Sequence, residues 1–412
     1  MYKTLVTISS LLLSIAILLV GNGLLGTLLA LRGSVEGYTA STIGIIMAMY
    51  FAGFIVGTFL CPEIISRVGH IRTFAVMAAV ASSSVIVQGL WINPLVWALL
   101  RLLCGICLVG IYMVTESWLN DQAGNQIRGR VLATYTLVML IALGLGQFLI
   151  LADDIRGLSL FAIAAGLFSL GLVPVALTRL PEPVPVSQIK PGLGKLYRTS
   201  ALGFSGSLAA GLMCGAFWAT GPLFAQGNGL SQSGIAVFMS ATILGGALLQ
   251  YPIGIWSDRI DRRLILVYLG FVSAGIALIS LFLPAGTPSL LAFCMFLFGG
   301  MMFSIYPVSV AHANDHPEAT NLVSTSSNLL LVNGIGAAVG PLLGGILIQY
   351  LGKNSLLVMF LVIGVSLGSC ALYWRRYGIR IPVDEKTAFI PITRTTHVAM
   401  EGIAAEEEGS GF

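Results

Sequence analysis

The stretch "GIWSDRIDRRLIL", residues 254–266, sets Asp258, Arg259, Asp261, Arg262 and Arg263 within six positions. Long apolar runs flank it on both sides, in a chain of which only 9% of the residues are charged. A knot of charge between two such runs reads as a short loop joining two membrane-spanning helices. Outward from it, apolar stretches longer than about 18 residues follow one another along nearly the whole chain. The composition agrees: 57% of residues are hydrophobic and the mean hydropathy is +0.93. A soluble fold of this length carries roughly a quarter charged residues on a polar surface, so a soluble enzyme is excluded.

Spans are expected near 5–31, 39–64, 70–91, 95–119, 128–152, 157–179, 199–225, 231–256, 263–284, 288–313, 319–349 and 354–376. The first is too long and too apolar for a cleavable signal. The reading is therefore an all-α polytopic membrane protein with twelve transmembrane helices. Most loops are short. The exceptions are a Pro-rich linker, "PEPVPVSQIKPGLGK" at 181–195, and a polar tail that ends "EGIAAEEEGSGF" and is expected to be disordered.

The basic residues are sorted by side rather than pooled, which argues against nucleic acid as a partner. Of the 21 Lys and Arg, 17 fall on the side of both termini and 3 (Arg32, Arg156, Lys353) on the other, with Arg101 inside a span. The positive-inside rule then places both termini, the linker and the charged loop in the cytoplasm of a multi-pass plasma (inner) membrane protein.

The chain is written twice. Aligning "PIGIWSDRIDRR" with "LCPEIISRVGHI" (60–71) sets Arg259 on Arg67, Asp258 on Ser66 and Asp261 on Gly69. The fourth and tenth spans match better, "IYMVTESWLND" (111–121) against "IYPVSVAHAND" (305–315), and the fifth and eleventh share a Gly-x-Gly. These matches across a central linker predict an N-terminal six-helix half at 1–180, a linker at 181–198, a C-terminal half at 199–376 and a tail at 377–412. Six spans return the chain to its starting side, so the halves run parallel. Parallel repeats of this kind are a transporter architecture, with the substrate site at the repeat interface near the midplane.

Three segments carry a resemblance. "GIWSDRIDRR" resembles the loop signature of the major facilitator superfamily, with Asp261 in place of its usual Gly. "RLLCGICLVG" (101–110) resembles the family's fourth-helix Arg motif, and "GIGAAVGPLLGG" (334–345) its Gly-Pro hinge motif, here carried by Gly340 and Pro341 in the eleventh span. With "TESWLND" and "IYPVSVAHAND", the set is similar to the YcaD-like bacterial branch. The likeness covers about residues 5–380 and implies fold, not substrate.

In the fold this chain resembles, the loop after the eighth span meets the start of the fifth. That start reads "QIRGR", offering Arg128 and Arg130 to Asp258 and Asp261, with Arg259 and Arg262 beside them. A two-state transporter needs contacts made in only one state, and a charge latch of this kind supplies them. The mirrored contact sets Arg67 or Arg72 against Asp315 and Glu318. Topology retention by cationic loops is the alternative.

Arg101, Gly105, Leu108, Tyr112 and Glu116 form one stripe on the fourth span. A charge at mid-membrane costs at least ~2.5 kcal/mol, so Arg101 is expected to face a cavity or a partner. Glu116 lies about 22 Å further along at ~1.5 Å per residue. It is close to the interface, with proton coupling as its candidate role. Asn22, Tyr112, Tyr306 and Trp218 complete the expected substrate cavity, which suits a mostly uncharged or amphipathic solute. "GNGLLG" (21–26) and "CGIC" (104–107) mimic dinucleotide and redox motifs but sit inside spans, where small residues serve helix packing. His312 and His316 stand four apart with no third ligand nearby. No metal site, catalytic set or cofactor is expected, and no nucleotide-binding loop is present. The expected function is secondary transport of a small organic solute by a monomer in the bilayer. The alternative is a membrane receptor or sensor that keeps the fold without transport.

Overall fold

In the computed structural model, which describes residues 2–123, 127–178, 183, 192–284, 286–315, 322–377, 386 and 389, helices account for nearly all of the chain. Twelve of them are long and apolar enough to cross a membrane. They run Ile8–Val35, Ala40–Val68, His70–Leu90, Pro94–Gln122, Arg128–Leu151 and Ser159–Leu177 in the first half. In the second they run Ala201–Gly227, Gln232–Arg259, Arg262–Leu281, Pro288–Asn314, Ser324–Leu351 and Ser355–Tyr377. The expected linker contributes a short helix, Leu193–Thr199. Most of the linker and tail lies outside the described residues.

The charged stretch is less of a loop than the sequence suggests. The eighth span continues as helix through Arg259 and the ninth begins at Arg262, leaving only Ile260 and Asp261 between them. Asp261 caps the ninth span by accepting from the Arg263 N–H at 3.0 Å, the usual way an Asx side chain satisfies an orphan donor. In the first half a single residue, Gly69, separates the second and third spans. Its φ of +86° is a left-handed conformation that side-chain-bearing residues rarely adopt.

Small residues bring the helices together. Gly105 has no room for a Cβ beside the Tyr50 carbonyl, nor Gly245 beside that of Phe296. This backbone-to-backbone approach is the packing mode of helices that gain nothing hydrophobic from lipid. The dinucleotide-like "GNGLLG" serves the same end, with Gly21 and Gly23 set against the sixth and fifth spans. The cysteines of "CGIC" are buried free thiols.

The two halves meet along two seams, the second span with the eleventh and the fifth with the eighth. The side-chain and glycine contacts across them lie from mid-membrane toward the side away from the termini. Ser41 N–H donates to Gln349, Gly44 abuts the Pro341 carbonyl, and Gly345 faces that of Ala40. On the other seam, Gln232 donates to the Ile150 carbonyl at 2.7 Å and Ser240 to that of Gly144 at 2.7 Å. On the far side, therefore, the halves are in direct contact.

Candidate functional site

The fourth-span stripe is buried, as its charge demands. Arg101 is 4% exposed, and its guanidinium carbon sits 4.4 Å from the centroid of the Tyr50 ring on the second span. Cation–π contact of this kind offsets part of the cost of a charge at membrane depth. Arg101 therefore points into the protein rather than to lipid.

Glu116 lies in the last two turns of the fourth span. It is fully buried, and the Tyr135 hydroxyl on the fifth span donates to its Oε1 at 3.2 Å. Tyr112 and Tyr306 are buried too, and Tyr112 is tilted against Phe54 at 6.0 Å between ring centroids. Glu116 is near enough to Tyr306 of the other half to act on it electrostatically, and Tyr112 likewise to Tyr135. The structure thus gathers Tyr112, Glu116, Tyr135 and Tyr306 into one polar cluster between the halves. Tyr135 has no counterpart signal in the repeat, and the sequence reading missed it.

The other cavity candidates have their own neighbours. Asn22 is 6% exposed, on the first span between Gly21 and Gly23. Trp218 is buried edge-on against Phe217, 5.7 Å between centroids. Gly340 packs on the seventh span at Leu212, and Pro341 turns its carbonyl to Gly44. A largely apolar cavity of about 60 Å³ lies between the second, seventh and eleventh spans, lined by Tyr50, Phe54, Thr58, Cys214 and Asn333 among others.

On the side of the termini, the charges of the quoted stretch are wired within their own half. Arg262, 1% exposed, bridges Asp258 at 3.0 Å and the buried Asp315 at 2.9 Å. Arg263 clamps Asp261 through Nε and Nη2 at 2.9–3.2 Å and reaches the Trp374 carbonyl at 3.4 Å. Burial alone raises the Asp261 carboxyl. The hydrogen bonds and charge of Arg263, with His312 behind them, outweigh it and hold the group below its ordinary value. Arg259 and Arg130 are exposed, and Arg128 reaches the Asn120 carbonyl at 3.5 Å. Arg67 pairs with Glu63 one turn back, both exposed. The mirrored pairing of Arg67 with Asp315 is thus not what Asp315 does here: Arg262 holds it, because the end of the tenth span abuts the ninth within one half. Glu318 and His316 lie outside the described residues. No group of three metal-ligating side chains occurs among the described residues.

Comparison with known proteins accords with this arrangement. The Major Facilitator Superfamily model matches twice, over residues 11–203 and 203–397, once for each half. The chain belongs to the major facilitator superfamily. Its relatives include the uncharacterized MFS-type transporter YcaD of Escherichia coli O17:K52:H18, 29% identical over 337 residues, or 81% of this chain and 87% of that one. The YcaD of Shigella flexneri is 28% identical over the same shares. Among solved structures, the nucleoside transporter NupG superposes with a TM-score of 0.73 at 13% identity, covering 92% of this chain and 100% of that one. A bacterial homolog of the human lysosomal transporter Spinster, in an inward-facing and unoccupied conformation, gives 0.70 at 15%, covering 90% and 97%. At such identities the likeness is one of fold. Membership in this family makes the chain a multi-pass membrane protein of transporter type, with two pseudo-symmetric six-helix halves.

Proposed function

We propose that this chain is a proton-coupled secondary transporter that moves a small, largely uncharged organic solute by rocking two halves about a central site. The observation that carries the reading is the cluster between the halves: a fully buried carboxylate, Glu116, held by Tyr135 and within electrostatic reach of Tyr306 from the opposite half. An ionisable group in that position is costly and marks ion or substrate pathways. Protonation of Glu116 removes the charge that reaches across to Tyr306, so proton binding and the approach of the halves are linked. Asn22, Tyr112, Tyr306 and Trp218 supply neutral polar and aromatic contacts, with Arg101 as the one cation.

Contact between the halves on the far side accords with an inward-open state, once the excess of Lys and Arg orients both termini to the cytoplasm. In that state the latch between Asp258 or Asp261 and Arg128 or Arg130 is undone, and Asp258 turns to Arg262. The halves divide at the linker 181–198, and Gly340 and Pro341 form the hinge. One chain supplies both walls of the site, so a monomer suffices.

A thermal-shift screen of metabolites on the purified protein identifies the solute, because a ligand of the folded state raises its melting point. Uptake of that solute into proteoliposomes under an imposed pH gradient then tests the mechanism. Glu116→Gln is expected to keep binding and to lose the gradient's drive. Uptake that ignores the gradient in both proteins removes the coupling role. Binding without any transport makes the chain a receptor.

A further inference from the structure

Two tail residues beyond the last span are seated on the quoted stretch. Lys386 donates to the Ile260 carbonyl at 2.6 Å and reaches that of Ser257 at 3.4 Å, at the C-terminal end of the eighth span. A cation there completes orphan carbonyls and meets the negative end of the helix dipole. The Phe389 N–H donates to Asp258 Oδ1 at 3.0 Å, the same oxygen that accepts from Arg262. The Phe389 ring lies so close on Gly254 that a Cβ at that position would overlap it. Gly254 and Asp258 are one turn apart, so they share a face of the helix. The repeat places Pro62 and Ser66 at these positions, and neither offers the notch or the carboxylate.

We infer that Lys386 and Phe389 act as a strap that docks at the Gly254–Asp258 notch and holds the cytoplasmic side open, resting on the transport reading above. The geometry supplies the reason. Asp258 is the acid that the start of the fifth span must reach for that side to close. The Phe389 N–H and Arg262 already occupy Asp258 Oδ1, so Arg128 or Arg130 must compete with both for that carboxylate. The tether favours docking as well. The twelfth span ends at Tyr377 beside the same stretch, where Arg263 contacts the Trp374 carbonyl. Lys386 follows nine residues later, and a short tether keeps a weakly binding segment at high local concentration.

The test uses full-length protein in lipid nanodiscs, with distance labels at positions 260 and 127, across the two sides of the latch. Phe389→Ala and Lys386→Ala are each expected to raise the ratio of short to long distances about five-fold, the factor that corresponds to ~1 kcal/mol. Asp258→Asn is expected to move the ratio the opposite way. A synthetic peptide of residues 383–392 added to Phe389→Ala restores the wild-type distribution, and the same peptide with alanine for the phenylalanine does not. If both tail variants match wild type while Asp258→Asn shifts, the strap is overturned and the rocking mechanism stands. If neither the tail variants, Asp258→Asn nor a bound solute moves the distances, the transport reading falls and the strap with it.

Discussion

The stretches that end the second and eighth spans occupy the same place in the two halves, yet they are built differently. In the second half, Arg262 is 1% exposed and joins Asp258 to Asp315, while Arg263 clamps Asp261 and Phe389 fills the notch at Gly254. In the first half, Ser66 and Gly69 replace the two acids, and Arg67, 73% exposed, has only Glu63 on its own helix. His70 turns inward to Ser117 at 3.2 Å. A cleft of about 750 Å³ stays open between residues 65–72, Trp118 and Pro183. Duplication preserved the helix break and not the charge wiring. The lesson is that a repeated backbone feature does not imply a repeated electrostatic role.

The sharpest way to break this contrast is at the buried cation. Arg262→Met leaves Asp315 buried without its partner, and removing one member of a buried pair costs about 3–5 kcal/mol. Thermal unfolding in detergent should show it. A variant as stable as wild type would make the network ornamental. Next in size is Asp258→Asn, which keeps shape and removes charge. It should favour the inward-open population about five-fold, or ~1 kcal/mol, and depress turnover more than solute binding.

Asp261 gives a smaller effect with a pH signature. Its folded value lies below the ordinary 3.8, so its contribution is complete above that pH and is lost as pH falls through the lowered value. Limited proteolysis near residue 260 should accelerate on acidification in wild type, and Asp261→Asn should flatten that added dependence. The smallest effect belongs to the first half. Arg67→Ala removes an exposed pair worth ~0–1 kcal/mol, and both melting temperature and distance distribution should stay within error of wild type. A marked loss would restore symmetry between the halves.

Much of the fold was legible because its signals are local. Apolar length marks the spans, Lys and Arg sidedness marks topology, and the match of 111–121 to 305–315 marks the duplication. Boundaries slipped where charge was read as loop: the eighth span runs on to Arg259 because a helix leaving the hydrocarbon keeps its backbone bonds in water. Of the site, Arg101, Tyr112 and Tyr306 were legible as polar groups in apolar runs. Tyr50 and Tyr135, which touch Arg101 and Glu116, were not, since an aromatic residue in a span has no periodic signature to separate it from core. The pairing of Asp315 with Arg262 was not read, because pseudo-symmetry suggests contacts across halves, while Arg262 stands 53 residues away within one half. Lys386 and Phe389 sit in a polar tail with no pattern to mark them.

The far-side contacts have one more consequence. They pair hydroxyls and amides with backbone, or lay glycine against a carbonyl at Gly44 and Gly345, and carry no net charge. The opposite side works through carboxylates and guanidinium groups that are partly wet. At physiological ionic strength charges are screened beyond about 8 Å, and less separation suffices at higher salt. Salt is therefore expected to act on the charged contacts and to spare the neutral ones. On the proposed mechanism, osmotic shifts that concentrate cytoplasmic ions loosen the inner closure alone, and the two half-cycles respond unequally to the same change in the cell.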